Sequence, residues 1–218
     1  MKNPLGCISN NAIGLDERNK SDISVLAGIK DGNPKFFYVV PTLLIDKQIK
    51  KQEEENLINI IYVPIKGHRN YYLIEKITEL GVSNIYPIIS EHSVIKKFNY
   101  KRANTCAIAA SQQSGRLSVP KIHEFRSLKS ILSSWNKKDQ IIFCDETEKK
   151  FFFNDLFKSE SKKKINTILI GPEGGFSLSE KTFLKNLNYI YGLTLGKRIL
   201  RADTAAISAL TLLIDKKI

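Results

Sequence analysis

A chain of 218 residues fits one large domain or two smaller ones, and a hydrophobic content of 42% is enough for a sizeable core. No apolar run approaches the roughly eighteen residues of a membrane span, residues 1–10 lack an apolar signal core, and three scattered cysteines (Cys7, Cys106 and Cys144) lack metal-ligand spacing, so the expectation is a cytoplasmic protein without a metal site. A net charge of +12 favours a polyanion such as RNA, although a composition rich in Lys, Ile and Asn carries the same sign without any partner.

Residues 1–56 are polar and punctuated by Gly6, Gly14, Gly28, Gly32 and Pro34, with one plausible strand over residues 35–44. The charged stretch 46–56 reads as a linker, which makes 1–56 a small β unit and 57–218 a separate domain. From Leu57 the pattern becomes regular. Residues 57–63 form a nearly continuous apolar run, as in a strand buried on both faces. Residues 70–80 predict a helix with Leu73, Ile74, Ile77 and Leu80 on one face and Gly81 as its C-cap. A second strand over 85–89 is interrupted by Pro87 and so belongs near an edge. An alanine-rich helix over 102–114 closes at Gly115. Further strands are read at 140–144, 165–170 and 191–195. Strands alternating with helices predict an α/β fold with a parallel sheet.

Two strand ends carry the chemistry. Residues 165–170 run into Gly171-Pro172-Glu173-Gly174-Gly175, and Ser177 and Glu180 then stand at capping-box spacing. A strand, a glycine loop and a helix N-terminus place free amides at the carboxyl end of a strand, where open α/β sheets bind ligands, although an ordinary strand-to-helix turn has the same local pattern. Residues 191–195 lead into Gly196-Lys197-Arg198-Ile199-Leu200-Arg201-Ala202-Asp203-Thr204. A helix follows with Ile207, Leu210, Leu213 and Ile214 at helical spacing, and Asp203 and Thr204 are natural caps for it. Two such units point to one composite site. Arg116 and Arg201 each stand at an element boundary near a glycine, where a guanidinium can reach a phosphate bidentately. His68, His92 and His123 are far apart and unaccompanied, and no Ser-His-Asp, zinc or P-loop spacing competes.

The stretches 169–176 and 195–205, with Glu79-Leu80-Gly81-Val82 and Gln113-Ser114-Gly115-Arg116 followed by Pro120, resemble in order and spacing the signatures of RsmE-type 16S ribosomal RNA methyltransferases of the SPOUT superfamily. The resemblance covers residues 57–215. It implies a SPOUT-type parallel sheet with a C-terminal trefoil knot, preceded by a truncated or divergent PUA-like β unit. It also implies S-adenosylmethionine as methyl donor, methylation of N3 of one uridine in the small ribosomal subunit, and a homodimer. The chain departs from the family in four ways: residues 1–56 lack the usual Val-Leu-Arg motif, His92 stands where an Arg is common, Ala109 and Gln112 replace acidic residues in the helix before Gln113, and Ala202-Asp203 replaces the commoner Thr-Glu.

On this resemblance the cofactor would be held by Leu169, Ile170, Gly171, Gly175, Leu195, Gly196, Ile199 and Leu200, with the adenine against Leu195, Ile199 and Leu200. RNA would be held by Lys66, Arg69, Gln113, Arg116 and Arg198. Uridine N3 is a poor nucleophile until its proton leaves, and charge then grows on the flanking carbonyl oxygens. Arg201 is the candidate to stabilise that charge, and Glu173 the candidate to accept the proton or hold an arginine. The alternatives are a SPOUT methyltransferase acting at another RNA position and an inactive RNA-binding or assembly protein that has lost the chemistry.

Overall fold

The computed structural model describes residues 26–30, 33–37, 57–145 and 165–215. The chain divides into two compact units, 1–53 and 54–218. In the first, β1 (Leu26–Lys30) and β2 (Asn33–Phe37) form an antiparallel hairpin in which Lys30 faces Asn33. The rest of the strand expected over 35–44, and the polar stretch 46–56, lie outside the described residues.

The second unit is built on a seven-stranded sheet. In chain order come β3 (Asn59–Tyr62), α1 (His68–Glu79), β4 (Asn84–Ile89), α2 (Tyr100–Gln113), the two-residue strands β5 (Lys121–Ile122) and β6 (Arg126–Ser127), and α3 (Leu128–Ser133). Then follow β7 (Gln140–Cys144), β8 (Ile165–Ile170), α4 (Leu178–Lys185), β9 (Ile190–Leu193) and α5 (Ala202–Asp215). The order across the sheet is β5-β4-β3-β8-β7-β9, with β6 also on β4, and every pairing is parallel.

The continuous apolar runs follow from burial of both faces. Ile60 and Tyr62 of β3, Ile168 and Ile170 of β8 and Ile142 of β7 pack under α1, α2 and α5. Their neighbours Ile61, Leu169, Ile141 and Phe143 face the other way, against Leu128 and Ile131 of α3 and Leu184 of α4. Alternation with period two therefore supplies two apolar layers, and no position in the central strands can be polar without a partner. Pro87 lies where the outer neighbour of β4 is broken: β5 pairs Asn84 and Ile85, β6 pairs Ile88 and Ile89, and the residue lacking an amide hydrogen falls between.

Gly81, at φ 82°, ends α1 in a Schellman turn. The Val82 amide reaches back to Ile77 and the Gly81 amide to Thr78, and both Val82 and Ile77 are fully buried. The second long helix stops the same way, with the Arg116 amide on Ser111 and the Gly115 amide on Gln112. No helix among the described residues is long and apolar enough to cross a membrane.

Candidate active site

The glycine loop after β8 folds back on itself through the Gly175 amide, which donates to the Pro172 carbonyl at 2.8 Å. The capping box expected at α4 is complete. Ser177 Oγ accepts from the Glu180 amide at 3.2 Å, and Glu180 Oε2 accepts from the Ser177 amide at 3.0 Å. Glu180 is buried, and its second oxygen accepts from the Glu91 amide at 3.0 Å. Ser179 Oγ donates to Glu91, and His92 Nδ1 lies 2.9 Å from the Gly175 carbonyl, to which it donates. Residues 90–93 thus clamp the glycine loop, and His92 is part of the clamp.

The second loop leaves β9 through Thr194, whose hydroxyl donates to the Gly196 carbonyl at 3.1 Å. Gly196 has φ 125°, a conformation that side chains other than glycine rarely adopt. The loop ends where the Ala205 amide closes the first turn of α5 on the Arg201 carbonyl at 2.8 Å. Asp203 and Thr204 therefore stand inside the helix and not before it. Both Asp203 oxygens accept from Arg69 at the start of α1, Nε contributing at 2.9 Å and Nη2 bonding both oxygens. Burial works to raise the Asp203 pKa. The Arg69 hydrogen bonds, the Thr204 amide and the Arg69 charge outweigh it and hold the carboxyl below the usual carboxylate range.

Between the two loops lies a cleft of about 190 Å³ at the carboxyl ends of β7 and β8. It brings together Ile170, Gly171, Glu173 and Gly175 from the first loop and Ile199, Leu200 and Arg201 from the second. Phe143 and Phe176 form one wall, their ring centroids 5.5 Å apart. Three of the eight expected cofactor residues stand outside its lining. Leu169 is fully buried within the layer under α3 and α4, Leu195 packs against the core under α5, and Gly196 shapes the loop without lining the cleft. The reason for glycine at 171 also differs from close approach to a ligand alone, since an added Cβ meets the Phe176 ring at 3.1 Å.

The residues expected to hold RNA separate into two kinds. Lys66, Gln113 and Arg198 are exposed, while Arg69 is half-buried and bonded to Asp203. Arg116 is of the second kind. Its guanidinium turns inward, donating from Nη1 to the Thr78 and Val82 carbonyls at 2.6 and 3.1 Å and from Nη2 to Ser118. A cation on the last carbonyls of α1 complements the helix dipole, and a guanidinium so engaged does not present its fork to a phosphate.

Two charged residues of the cleft escape the sequence reading. Asp145, immediately after β7, is 3% exposed and its amide donates to Leu193, while Lys181 of α4 places Nζ 3.3 and 3.2 Å from its two oxygens. A carboxylate directly after a buried strand was the available signal. Its partner lies 36 positions away and no local pattern names it. Among the described residues no cluster of His, Cys, Asp and Glu could hold a metal ion.

The family model for an RNA methyltransferase domain matches residues 52–214. The chain is 30% identical over 199 residues to the "Ribosomal RNA small subunit methyltransferase E" of Rickettsia conorii, covering 90% of this chain and 78% of the relative. Among solved structures, a probable rRNA-methyltransferase from Porphyromonas gingivalis is similar with a TM-score of 0.67 at 26% identity, over 76% of this chain and 70% of that one. The ribosomal RNA small subunit methyltransferase E of Neisseria gonorrhoeae, bound to S-adenosyl methionine, is similar with a TM-score of 0.65 at 26% identity, over 73% and 66%.

Proposed function

The chain belongs to the RNA methyltransferase domain family, matched over residues 52–214, and on that premise we propose that it is an S-adenosylmethionine-dependent methyltransferase of small-subunit ribosomal RNA, acting on N3 of one uridine. The observation that carries this reading is the convergence of two glycine-bearing loops and the ion pair of a buried Asp145 with a half-buried Lys181 on one cleft at the carboxyl ends of the strands.

The donor set fits the group. Ile170, Leu200 and Phe176 offer apolar surface for the adenine, and Gly171 and Gly175 leave backbone accessible beside it. Lys181 and Asp145 present one cation and one carboxylate to a ligand whose amino-acid end is a zwitterion. When bound, the cofactor supplies an electrophilic methyl group on a sulfonium. The work of the chain is positioning and charge control. Arg201 is exposed at the cleft, free of the Asp203 tie that holds Arg69, and serves to stabilise negative charge on the uracil carbonyls as N3 loses its proton. Glu173, exposed on the same rim, serves to take that proton.

The reading extends to the rest of the molecule. The segment from β8 to α5 is the family's trefoil knot, residues 1–56 are a divergent PUA-like unit that helps to hold RNA, and a cytoplasmic homodimer is the working form. Lys66 and Arg198 are the exposed cations assigned to RNA.

The test is methyl transfer from labelled S-adenosylmethionine to purified unmethylated small subunits and to naked 16S RNA, with mass spectrometry of the digested nucleosides. The expected product is 3-methyluridine. A different methylated nucleoside would move the target within the superfamily. Cofactor binding without any transfer would favour an RNA-binding or assembly role.

A further inference from the structure

At the opposite end of the sheet, where β3, β4 and β7 begin, lies a second and larger cleft of about 400 Å³. Asn59 and Asn84 of its lining belong to a chain of side-chain hydrogen bonds that crosses the strands and continues beneath it. Asn84 Nδ2 donates to Asn59 Oδ1 at 2.9 Å, Asn59 Nδ2 to Thr167 Oγ1 at 3.1 Å, and Thr167 Oγ1 to Asn166 Oδ1 at 2.8 Å. Asn136 Nδ2 closes the far end on Asp139 Oδ2 at 3.0 Å. The direction of this chain fixes a tautomer. Because the Asn84 nitrogen donates to Asn59, its oxygen faces His123, and His123 Nε2 donates to it at 2.8 Å. The lone pair is then on Nδ1.

The walls are aromatic and the open polar groups accept protons. His123 stacks on Tyr86 with centroids 4.0 Å apart and planes at 14°, and Trp135 meets Tyr86 edge-on at 5.2 Å. Neither His123 Nδ1 nor the Tyr86 hydroxyl makes a hydrogen bond among the described residues. The carboxylates of Glu124 and Asp139 line the cleft, that of Asp139 already accepting from Asn136 and, at 3.5 Å, from Asn166, and Arg126 is its single cation among the described residues. Flat walls select a planar ring, the acceptors select a ring edge rich in N–H, and one guanidinium suits one phosphate.

We propose that this cleft binds a guanine base, whose adjacent N1–H and N2–H₂ donors match a carboxylate, with Arg126 on the attached phosphate. Uracil and cytosine offer fewer N–H donors on one edge and are excluded by the same carboxylates. The base comes either from a free nucleotide or from an unpaired nucleotide of RNA. This site shares no lining residue with the cofactor cleft, so it stands or falls apart from the methyltransferase reading.

Trp135 is the only tryptophan in the chain and it lines the cleft, so its fluorescence reports occupancy directly. The full-length protein is titrated with GMP, CMP and UMP and with two single-stranded oligouridines, one carrying a single central guanine. The expected result is saturable quenching by a guanine ligand, about tenfold or more tighter than by its guanine-free counterpart. Quenching by GMP identifies the free nucleotide as a source, and quenching by the guanine oligonucleotide alone identifies RNA. Glu124→Gln and Asp139→Asn are each expected to erase the guanine preference. Glu124 is exposed and makes no described hydrogen bond, so that variant keeps the fold. Unchanged S-adenosylmethionine binding controls for folding of both. Equal affinity for all ligands, no quenching at millimolar concentration, or a guanine preference that survives both substitutions would overturn the proposal.

Discussion

Lys181 and Arg201 line the same cleft but are held differently, and that difference separates their roles. Lys181 is tied to a nearly fully buried carboxylate, so it is fixed before any ligand arrives. The Arg201 side chain makes no hydrogen bond among the described residues and remains able to follow charge as it forms. Removing Lys181 alone would take a cation from a nearly fully buried carboxylate and disturb the fold as well as the site. The informative variant is therefore Lys181→Met with Asp145→Asn. Loss of a charge-assisted contact worth about 1.5–3 kcal/mol lowers affinity by roughly ten- to a hundred-fold. That loss is expected for S-adenosylmethionine and not for 5′-methylthioadenosine, which lacks the amino-acid end. Arg201→Ala is expected to do the converse, slowing single-turnover methylation by about a hundred- to a thousand-fold while cofactor affinity stays within a few-fold. Arg201→Lys rescues little, since an ammonium lacks the planar fork. Calorimetry with both ligands and a single-turnover time course decide the matter. An equal loss for both ligands in the double variant would remove the zwitterion assignment, and near-normal turnover in Arg201→Ala would leave that arginine as a helix-end residue.

Helix ends do most of the assembling here. The start of α5 is tied to the start of α1 by Arg69 and Asp203, residues 134 positions apart. The Asp203 pKa is depressed in the folded chain, so the stability it contributes is present above the unfolded carboxylate pKa of about 4 and is lost as pH falls through the lower folded value. Asp203→Asn is expected to lower unfolding free energy at pH 7 by about 1–3 kcal/mol, with the gap from wild type narrowing at acid pH. Denaturant midpoints at pH 7 and pH 3.5 measure this, and a gap independent of pH would show that the carboxylate charge is not what stabilises the tie. The same elements mark what can be read in advance. Central strands β3, β7 and β8 announce themselves because burial on two faces demands an unbroken apolar run, and Gly81 and Gly115 mark helix ends because a Schellman turn needs a left-handed residue. Strands β5 and β6 have two residues each, too few to show a period, and α3 has six, less than two turns. Arg116 sits where a phosphate contact was expected, but sequence position does not say which way a side chain turns after a helix ends. Lys181, by contrast, was invisible because its role depends on a partner from another strand.

At the scale of the whole molecule, charge and core are distributed differently. Both apolar layers of the sheet lie within residues 58–213, and the family match spans 52–214, so the second unit holds its own core and every described residue of the cofactor cleft. The role of residues 1–56, if they are the RNA-holding unit proposed, is in affinity for a polyanion, and the net charge of +12 is the reservoir from which such contacts are drawn. A chain starting at residue 54 is expected to unfold within a few degrees of the full-length protein and to bind S-adenosylmethionine equally well. It is expected to bind single-stranded RNA more weakly and with a shallower dependence on salt, because each phosphate contact removed lowers the slope of log K against log salt by about 0.7. The comparison is made by RNA binding at several salt concentrations, with thermal melts and calorimetry on the same preparations. A matching drop in melting temperature would mean that residues 1–53 support the sheet. An unchanged salt slope with an intact fold would return them to a role outside RNA binding and leave Lys66, Arg198 and the rim of the cleft to hold the substrate alone.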